Sequence, residues 1–406
     1  MTGRPIHLLS RRGFVAGSVA ALAPAALRLR QPRWLDELDQ FIDAEMTTAL
    51  IPGLAAVIVK DGRIAWSRGY GWADISGRRR MDPVRTIQNI GSISKTITAT
   101  AVMQQVERNR IGLDDDVNRL LPFPVRHPAH PDVPITPRLL LTHRSGIVDG
   151  EAYMASYACG DPTTALGDWL RDYLAPDGRL FRADGNFGDR PGATWKYSNI
   201  GFGLLGHLVE RTSGLPFPAY TRQHIFEPLG LRNTGWLWAD IDPATHAVNY
   251  EPITEATRQD LEGFRRLGFA TKPPERHPTL GDFQPLCGYT FVTYPDGGLR
   301  ISATGLARFL LANMGTGDPI LRSATLATIR TPLSGAGGAE GQGLAWHSAR
   351  REGEAIRWGH NGADPGVRTN MWFRPSDGVG AIVFVNRSGV NLDRFIDRML
   401  AAASRL

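Results

Sequence analysis

Gly91-Ser92-Ile93-Ser94-Lys95-Thr96-Ile97-Thr98-Ala99-Thr100-Ala101-Val102-Met103-Gln104-Gln105-Val106 contains one ionisable side chain, and Lys95 is the only one between Arg85 and Glu107. Beyond Gly91 the stretch has no Gly or Pro, and its apolar residues recur through Ile93, Ile97, Ala101, Val102 and Val106, so it reads as a largely buried helix over residues 92–106. A charge inside such a helix needs a purpose. Ser92 and Lys95, three residues apart, lie on one helical face, so the amine can reach the hydroxyl. Only four of the 46 basic residues are lysines, namely Lys60, Lys95, Lys196 and Lys272. Burial can push a lysine amine towards neutrality, which suits a base, whereas arginine stays charged. With Gly91 at the helix start, free N–H groups and the positive end of the helix dipole surround Ser92. Ser92 is thus a candidate activated nucleophile. The alternative for the motif alone is an N-cap serine beside a lysine that reaches to solvent.

At 406 residues and 42% hydrophobic content, the chain can bury a large core in two lobes. Arg4, Arg11, Arg12, Arg28, Arg30 and Arg33 precede the first acidic residue, Asp36, and account for the whole net charge of +6. The rest is close to neutral, which argues against a nucleic-acid partner. Ser10-Arg11-Arg12-Gly13-Phe14-Val15 resembles a twin-arginine export signal, and Ala23-Pro24-Ala25 offers a small-residue cleavage site. The expectation is a signal and linker over residues 1–33, export to the periplasm or beyond, and no transmembrane segment in the mature chain. Cys159 and Cys287 could pair in an oxidising compartment, but folding in a reducing cytoplasm before export weighs against it. Neither cysteine has a CxxC neighbour and no HExxH pattern occurs, so neither metal chemistry nor a cofactor is expected.

Residues 34–48 alternate apolar and charged positions at helical spacing. Residues 54–59 and 63–69 flank Lys60-Asp61-Gly62, a strong hairpin signal. From 111 to about 284 helix-like pieces, including 137–141 and 200–213, alternate with Pro- and Gly-rich connections, which reads as a helical, loop-rich insertion. Strand patterning returns at 367–373 and 379–386, before an amphipathic helix over 392–403. The first and last parts are expected to share one antiparallel sheet.

Two further motifs sit where a cleft could form. Tyr197-Ser198-Asn199 precedes the helix from Ile200, where a phenol can relay a proton and an amide can orient a carbonyl. His360-Asn361-Gly362 lies on an expected edge strand through residues 358–366, where glycine permits close approach and strand N–H groups can bind an oxyanion. Each alone is weak. Ser-x-x-Lys, Tyr-x-Asn and His-x-Gly in this order resemble the three boxes of penicillin-recognising enzymes. The chain resembles the class C β-lactamase and D,D-peptidase family, which also includes D-aminopeptidases, family VIII esterases and transacylases. Further family-like stretches are Leu139-Leu140-Leu141-Thr142-His143-Arg144-Ser145-Gly146, Ile225-Phe226-Glu227-Pro228-Leu229-Gly230-Leu231 and Gly297-Gly298-Leu299-Arg300-Ile301-Ser302.

The resemblance implies an α+β fold in residues 34–406, with an antiparallel sheet flanked by helices, an α/β lobe of 34–110 and 285–406, and an inserted helical lobe of 111–284. It implies Ser92 as nucleophile, Lys95 as proton acceptor, Tyr197 as its partner, Asn199 as the group binding the substrate amide, and the N–H groups of Ser92 and Ala363 as oxyanion hole. His360, Asn361 and Gly362 would line the substrate. The β-lactamase third box is usually Lys-Thr-Gly, so the histidine points away from efficient β-lactam hydrolysis and towards D,D-carboxypeptidase or D-aminopeptidase action. His143 is expected to be structural. The loops of 122–189 and around Trp236, Trp238 and Tyr289 are expected to shape the pocket. The implied function is an exported serine hydrolase acting on a small-molecule or peptide amide or ester. Its alternatives are an esterase or transacylase of the same family, or a non-catalytic cell-wall peptide-binding protein.

Overall fold

Leu54-Ala55-Ala56-Val57-Ile58-Val59 is apolar at every position, as suits a strand buried on both faces. The computed structural model describes residues 32–333, 341–350 and 353–406, so nearly all of the expected export signal lies outside the described residues. Strand β1 (Gly53–Lys60) is an inner strand of a seven-stranded antiparallel sheet. The other strands are β2 (Arg63–Asp74), β3 (Arg79–Arg80), β4 (His347–Ala349), β5 (Arg357–Asp364), β6 (Val367–Arg374) and β7 (Val379–Val385), in the order β4-β5-β6-β7-β1-β2-β3. Asp61 and Gly62 both take positive φ, as a tight hairpin turn between β1 and β2 requires. Pairing of β1 with β7, from Leu54 opposite Val385 to Val59 opposite Gly380, brings the two ends of the chain into one sheet.

Alternation along β1 divides the core. Leu54, Ala56 and Ile58 pack with Leu38, Ile42 and Met46 of helix α1 (Arg33–Thr48) and with Phe395, Ile396 and Met399 of the last long helix, Asp393–Ala402. Ala55, Val57 and Val59 join the larger cluster with Ile93, Ile97 and Ala101 around helix α2 (Ser94–Glu107). Every residue of α2 from Ser94 to Gln105 is buried. Its hydroxyls are satisfied internally: Thr96 donates to the Ile93 carbonyl at 2.7 Å and Thr98 to the Pro295 carbonyl at 2.6 Å.

Three details differ from the sequence reading. The inserted region also holds a three-stranded sheet of Tyr250–Pro252, Glu275–His277 and Gly281–Pro285, whose strands are too short to show a period in sequence. Cys159 and Cys287 form a disulfide with an S–S distance of 2.06 Å, against the expectation of free thiols. Antiparallel pairing of Ala158 with Thr290 and of Cys159 with Tyr289 brings these distant segments together, and the sequence does not reveal that pairing. Finally, β5 is an edge strand only from His360 onward, because β4 covers Arg357, Trp358 and Gly359.

Candidate active site

Ser92 sits in a 3-10 turn, Gly91–Ile93, that leads directly into α2. Gly91 has φ +51°, and a Cβ there would stand 2.8 Å from the Ala363 nitrogen, so only glycine lets β5 approach the serine turn this closely. Lys95 is fully buried. Its Nζ lies 3.0 Å from Ser92 Oγ, 2.6 Å from Asn199 Oδ1 and 2.8 Å from the Asp296 carbonyl oxygen. A neutral amine can donate to the amide and carbonyl oxygens while its lone pair accepts from the serine O–H. Once protonated, it has one N–H for each of the three oxygens.

Tyr197 and Asn199 sit at the start of helix α3 (Asn199–Ser213), which Ser198 caps by accepting from the Gly201 N–H at 3.1 Å. The Tyr197 ring centroid is 4.8 Å from Lys95 Nζ. His143 stacks on that ring at 4.3 Å and accepts from the Ser198 N–H through Nδ1 at 3.1 Å. Burial, the charge of Lys95 and the neighbouring His347 hold His143 well below the ordinary histidine range, so it is neutral. The sequence reading missed Asp149. Its carboxylate accepts from the Asn199 N–H at 2.9 Å, the Ile200 N–H at 3.1 Å and Asn199 Nδ2 at 2.8 Å. Both polar ends of the Asn199 side chain are therefore engaged, one by Asp149 and the other by Lys95. The only signal in sequence was an acid three residues after the Ser145-Gly146 turn.

The third motif approaches along β5. A Cβ on Gly362 would lie 2.0 Å from the Ile90 carbonyl oxygen and 2.1 Å from Thr369 Oγ1, and Thr369 itself donates to that carbonyl at 2.7 Å. Gly362 thus lets the strand carry Ala363 up to Ser92. His360 donates from Nδ1 to the Asn361 carbonyl at 2.6 Å, and Asn361 Oδ1 accepts from Trp372 Nε1 at 2.8 Å. The His347 and His360 rings are 4.6 Å apart. Burial, then His347 and Lys95, keep His360 well below its usual range, and burial with Lys95 pushes His347 down to about 4. The third box therefore presents one neutral imidazole, with that of His347 beside it, and no cation.

Ser92 lies between two cavities. The first, about 590 Å³, is lined by Trp195, Tyr197, His360, Asn361, Arg368 and Trp372 among others, and no carboxylate among the described residues faces it. The second, about 440 Å³, is walled by Tyr153, Tyr157, Phe264 and Phe291, with Asp296 and Asp364. Burial pushes Asp296 up to about 7 against the pull of Lys95, and burial with the charge of Asp296 pushes Asp364 up to about 7. Trp236 and Tyr289 themselves are core residues. Trp238 stacks on the Arg300 guanidinium, 4.6 Å from its ring centroid. Among the described residues no cluster of three or more His, Cys, Asp or Glu is arranged to hold a metal ion, and no helix is long and apolar enough to cross a membrane.

Comparison with known proteins agrees with this geometry. The β-lactamase family model matches residues 38–405. Esterase EstB of Burkholderia gladioli is 30% identical over 339 residues, covering 81% of this chain and 82% of that protein. The D-amino acid amidase of Ochrobactrum anthropi SV3, solved with L-phenylalanine amide, superposes with a TM-score of 0.71 at 19% identity, over 92% of this chain and 99% of its own. An octameric penicillin-binding protein homologue from Pyrococcus abyssi gives 0.69 at 24% identity, over 91% and 77%. At these identities the two structures speak for the fold alone, whereas the family model spans nearly the whole described chain, and the chain belongs to the β-lactamase family of serine hydrolases.

Proposed function

We propose that the protein hydrolyses carboxylic esters through an acyl-enzyme on Ser92, after export from the cytoplasm. The carrying observation is the 3.0 Å contact between Lys95 Nζ and Ser92 Oγ, with the other two contacts of the amine fixed to acceptors. In this reading Lys95 takes the serine proton as Oγ attacks, and the resulting ammonium is held by Asn199 Oδ1 and the Asp296 carbonyl. The N–H groups of Ser92 and Ala363 stabilise the oxyanion, each worth about 2.7 to 4 kcal/mol. Tyr197 lines the first cavity, gives its phenolic proton to the leaving group there and is reprotonated by the Lys95 ammonium, so the acyl group occupies the second. Water then releases the acid. The relationship to an esterase over four-fifths of both chains and the neutral His360 favour esters over substrates that need a cation at the third box.

A second reading, hydrolysis of D-aminoacyl amides, is favoured by Asp296 and Asp364 at the acyl cavity, where an α-ammonium would find two carboxyl groups whose ionised form it stabilises. The test is intact-protein mass after incubation with a fluorophosphonate, with Ser92→Ala as control, followed by turnover of p-nitrophenyl esters against D-aminoacyl p-nitroanilides. A Ser92-dependent adduct with ester turnover supports the proposal, and preference for the anilides moves the assignment to the second reading. No adduct from folded protein would leave a peptide-binding role in its place. Export is tested separately, by replacing Arg11 and Arg12 with lysine and following secretion.

A further inference from the structure

We propose that Asp149 is a positioning residue that fixes the direction of the Asn199 amide and through it holds Lys95 against Ser92. The inference rests on the reading of Ser92 and Lys95 as nucleophile and base. An asparagine amide can face Lys95 with its oxygen or its nitrogen, and only the oxygen can accept from the amine. The choice is made on the far side: Asn199 Nδ2 donates to Asp149 Oδ2 at 2.8 Å, which leaves Oδ1 facing Lys95 at 2.6 Å. Oδ1 of Asp149 meanwhile accepts from the backbone N–H groups of Asn199 and Ile200 at 2.9 and 3.1 Å, and the Asn199 N–H is shared with Oδ2 at 3.0 Å. Carboxylate, amide, amine and hydroxyl form one chain from Asp149 to Ser92, in which a negative end strengthens each acceptor along the row.

The two duties of Asp149 can be separated by substitution. In Asp149→Asn an amide oxygen in the place of Oδ1 still accepts the backbone N–H groups of Asn199 and Ile200. Its nitrogen then stands where Oδ2 received Asn199 Nδ2, so two donors face each other. The Asn199 amide must turn over and point its own N–H groups at Lys95. Combining Asp149→Asn with Asn199→Asp reverses the pair: the nitrogen at position 149 donates to the carboxylate at 199, whose other oxygen again accepts from Lys95.

The experiment compares wild type, both single variants and the double variant as full chains. It measures the rate of fluorophosphonate labelling at Ser92, the pH dependence of ester hydrolysis and the melting temperature. Asp149→Asn should label about ten- to a hundredfold more slowly at near wild-type melting temperature, the scale of loss expected when a reacting group is misplaced. The double variant should recover to within about threefold of wild type. Its acid limb should lie at higher pH, because the carboxylate now touches the amine directly and favours its protonated form. Wild-type labelling by Asp149→Asn, or a double variant no faster than Asp149→Asn, overturns the proposal and leaves Asp149 a helix cap. If Asp149→Asn does not fold, the comparison is between Asn199→Asp, where two carboxylates face each other, and the double variant. A faster double variant supports the proposal and equal rates overturn it. Absence of labelling in wild type instead overturns the reading of Ser92 as nucleophile.

Discussion

Gly362→Ala should abolish most of the acylation activity while the chain remains folded. The added Cβ would sit 2.0 Å from the Ile90 carbonyl oxygen and 2.1 Å from Thr369 Oγ1, so β5 must retreat by about 1 Å to reach even a 3.0 Å contact. That retreat breaks the 2.7 Å bond from Thr369 to Ile90 and carries the Ala363 N–H away from Ser92. Overpacking of this kind costs typically 1–3 kcal/mol of stability. Losing one oxyanion donor costs about 2.7 to 4 kcal/mol in the transition state, a fall of about 10²- to 10³-fold in acylation rate. The assay is the second-order rate of fluorophosphonate labelling, read by intact mass, together with thermal melting. Gly263→Ala is the control: its Cβ would meet nothing within 4 Å and it lies in the helix Arg258–Arg266, so alanine there should raise the melting temperature slightly and leave labelling alone. A Gly362→Ala protein that melts normally and labels within about threefold of wild type refutes the claim that β5 supplies the oxyanion donor, since the expected loss is far larger.

Three further outcomes follow from other parts of the site. Lys95→Met should fold, because methionine fills the buried volume, yet form no Ser92 adduct on the wild-type timescale; adduct formation at the wild-type rate removes Lys95 as the base. Cys159→Ser with Cys287→Ser, or reduction of the wild type, should lower stability by about 2–4 kcal/mol in denaturant titration, because the bridge closes a sequence separation of 128 residues; an unchanged midpoint argues that the unfolded chain gains nothing from release. His347 has a folded pKa of about 4, below its unfolded value, so its contribution is present above about pH 6.5 and is lost as pH falls towards 4. His347→Gln should therefore lose about 2 kcal/mol less than wild type between pH 6.5 and 4.5, and parallel curves for the two proteins would show that the imidazole is not held neutral by burial. Asp296 and Asp364, raised to about 7, act in the opposite sense, their stabilisation fading as pH rises towards neutrality, so the substitution must be read as a difference between proteins and not as an absolute slope.

What could be read from sequence was what is local. The 60–63 hairpin is announced by Asp61-Gly62, since few other pairs tolerate positive φ at both positions. The helix bearing Lys95 shows itself by a run without Gly or Pro, and only its first turn, a 3-10 turn over Gly91–Ile93, departs from that reading. The contact of Lys95 with Ser92 lies within one turn and was legible, but the structure alone shows how the three motifs meet, because the other bonds that set the site join distant segments: Lys95 to Asn199 and to Asp296, Asp149 to Asn199, Thr369 to Ile90. The disulfide belongs with these, since Cys159 and Cys287 have no local signature and pair only because two-residue strands beside them do.

Asn199 shows why this limit bears on mechanism and not only on geometry. From its motif it was a substrate ligand, a role that needs a free amide N–H. Nδ2 carries two N–H groups and Asp149 takes one of them, so with Oδ1 on Lys95 the amide still offers an N–H to an incoming carbonyl, and the charge-assisted bond to Asp149, stronger than a bond between neutral partners, fixes where it points. Binding the substrate through that second N–H thus leaves the group that holds the base in place. The arrangement is self-consistent when Asn199 holds Lys95 through Oδ1 and faces the substrate through its second N–H, with the edge of β5 beyond His360, the part of that strand that β4 leaves uncovered, completing substrate orientation.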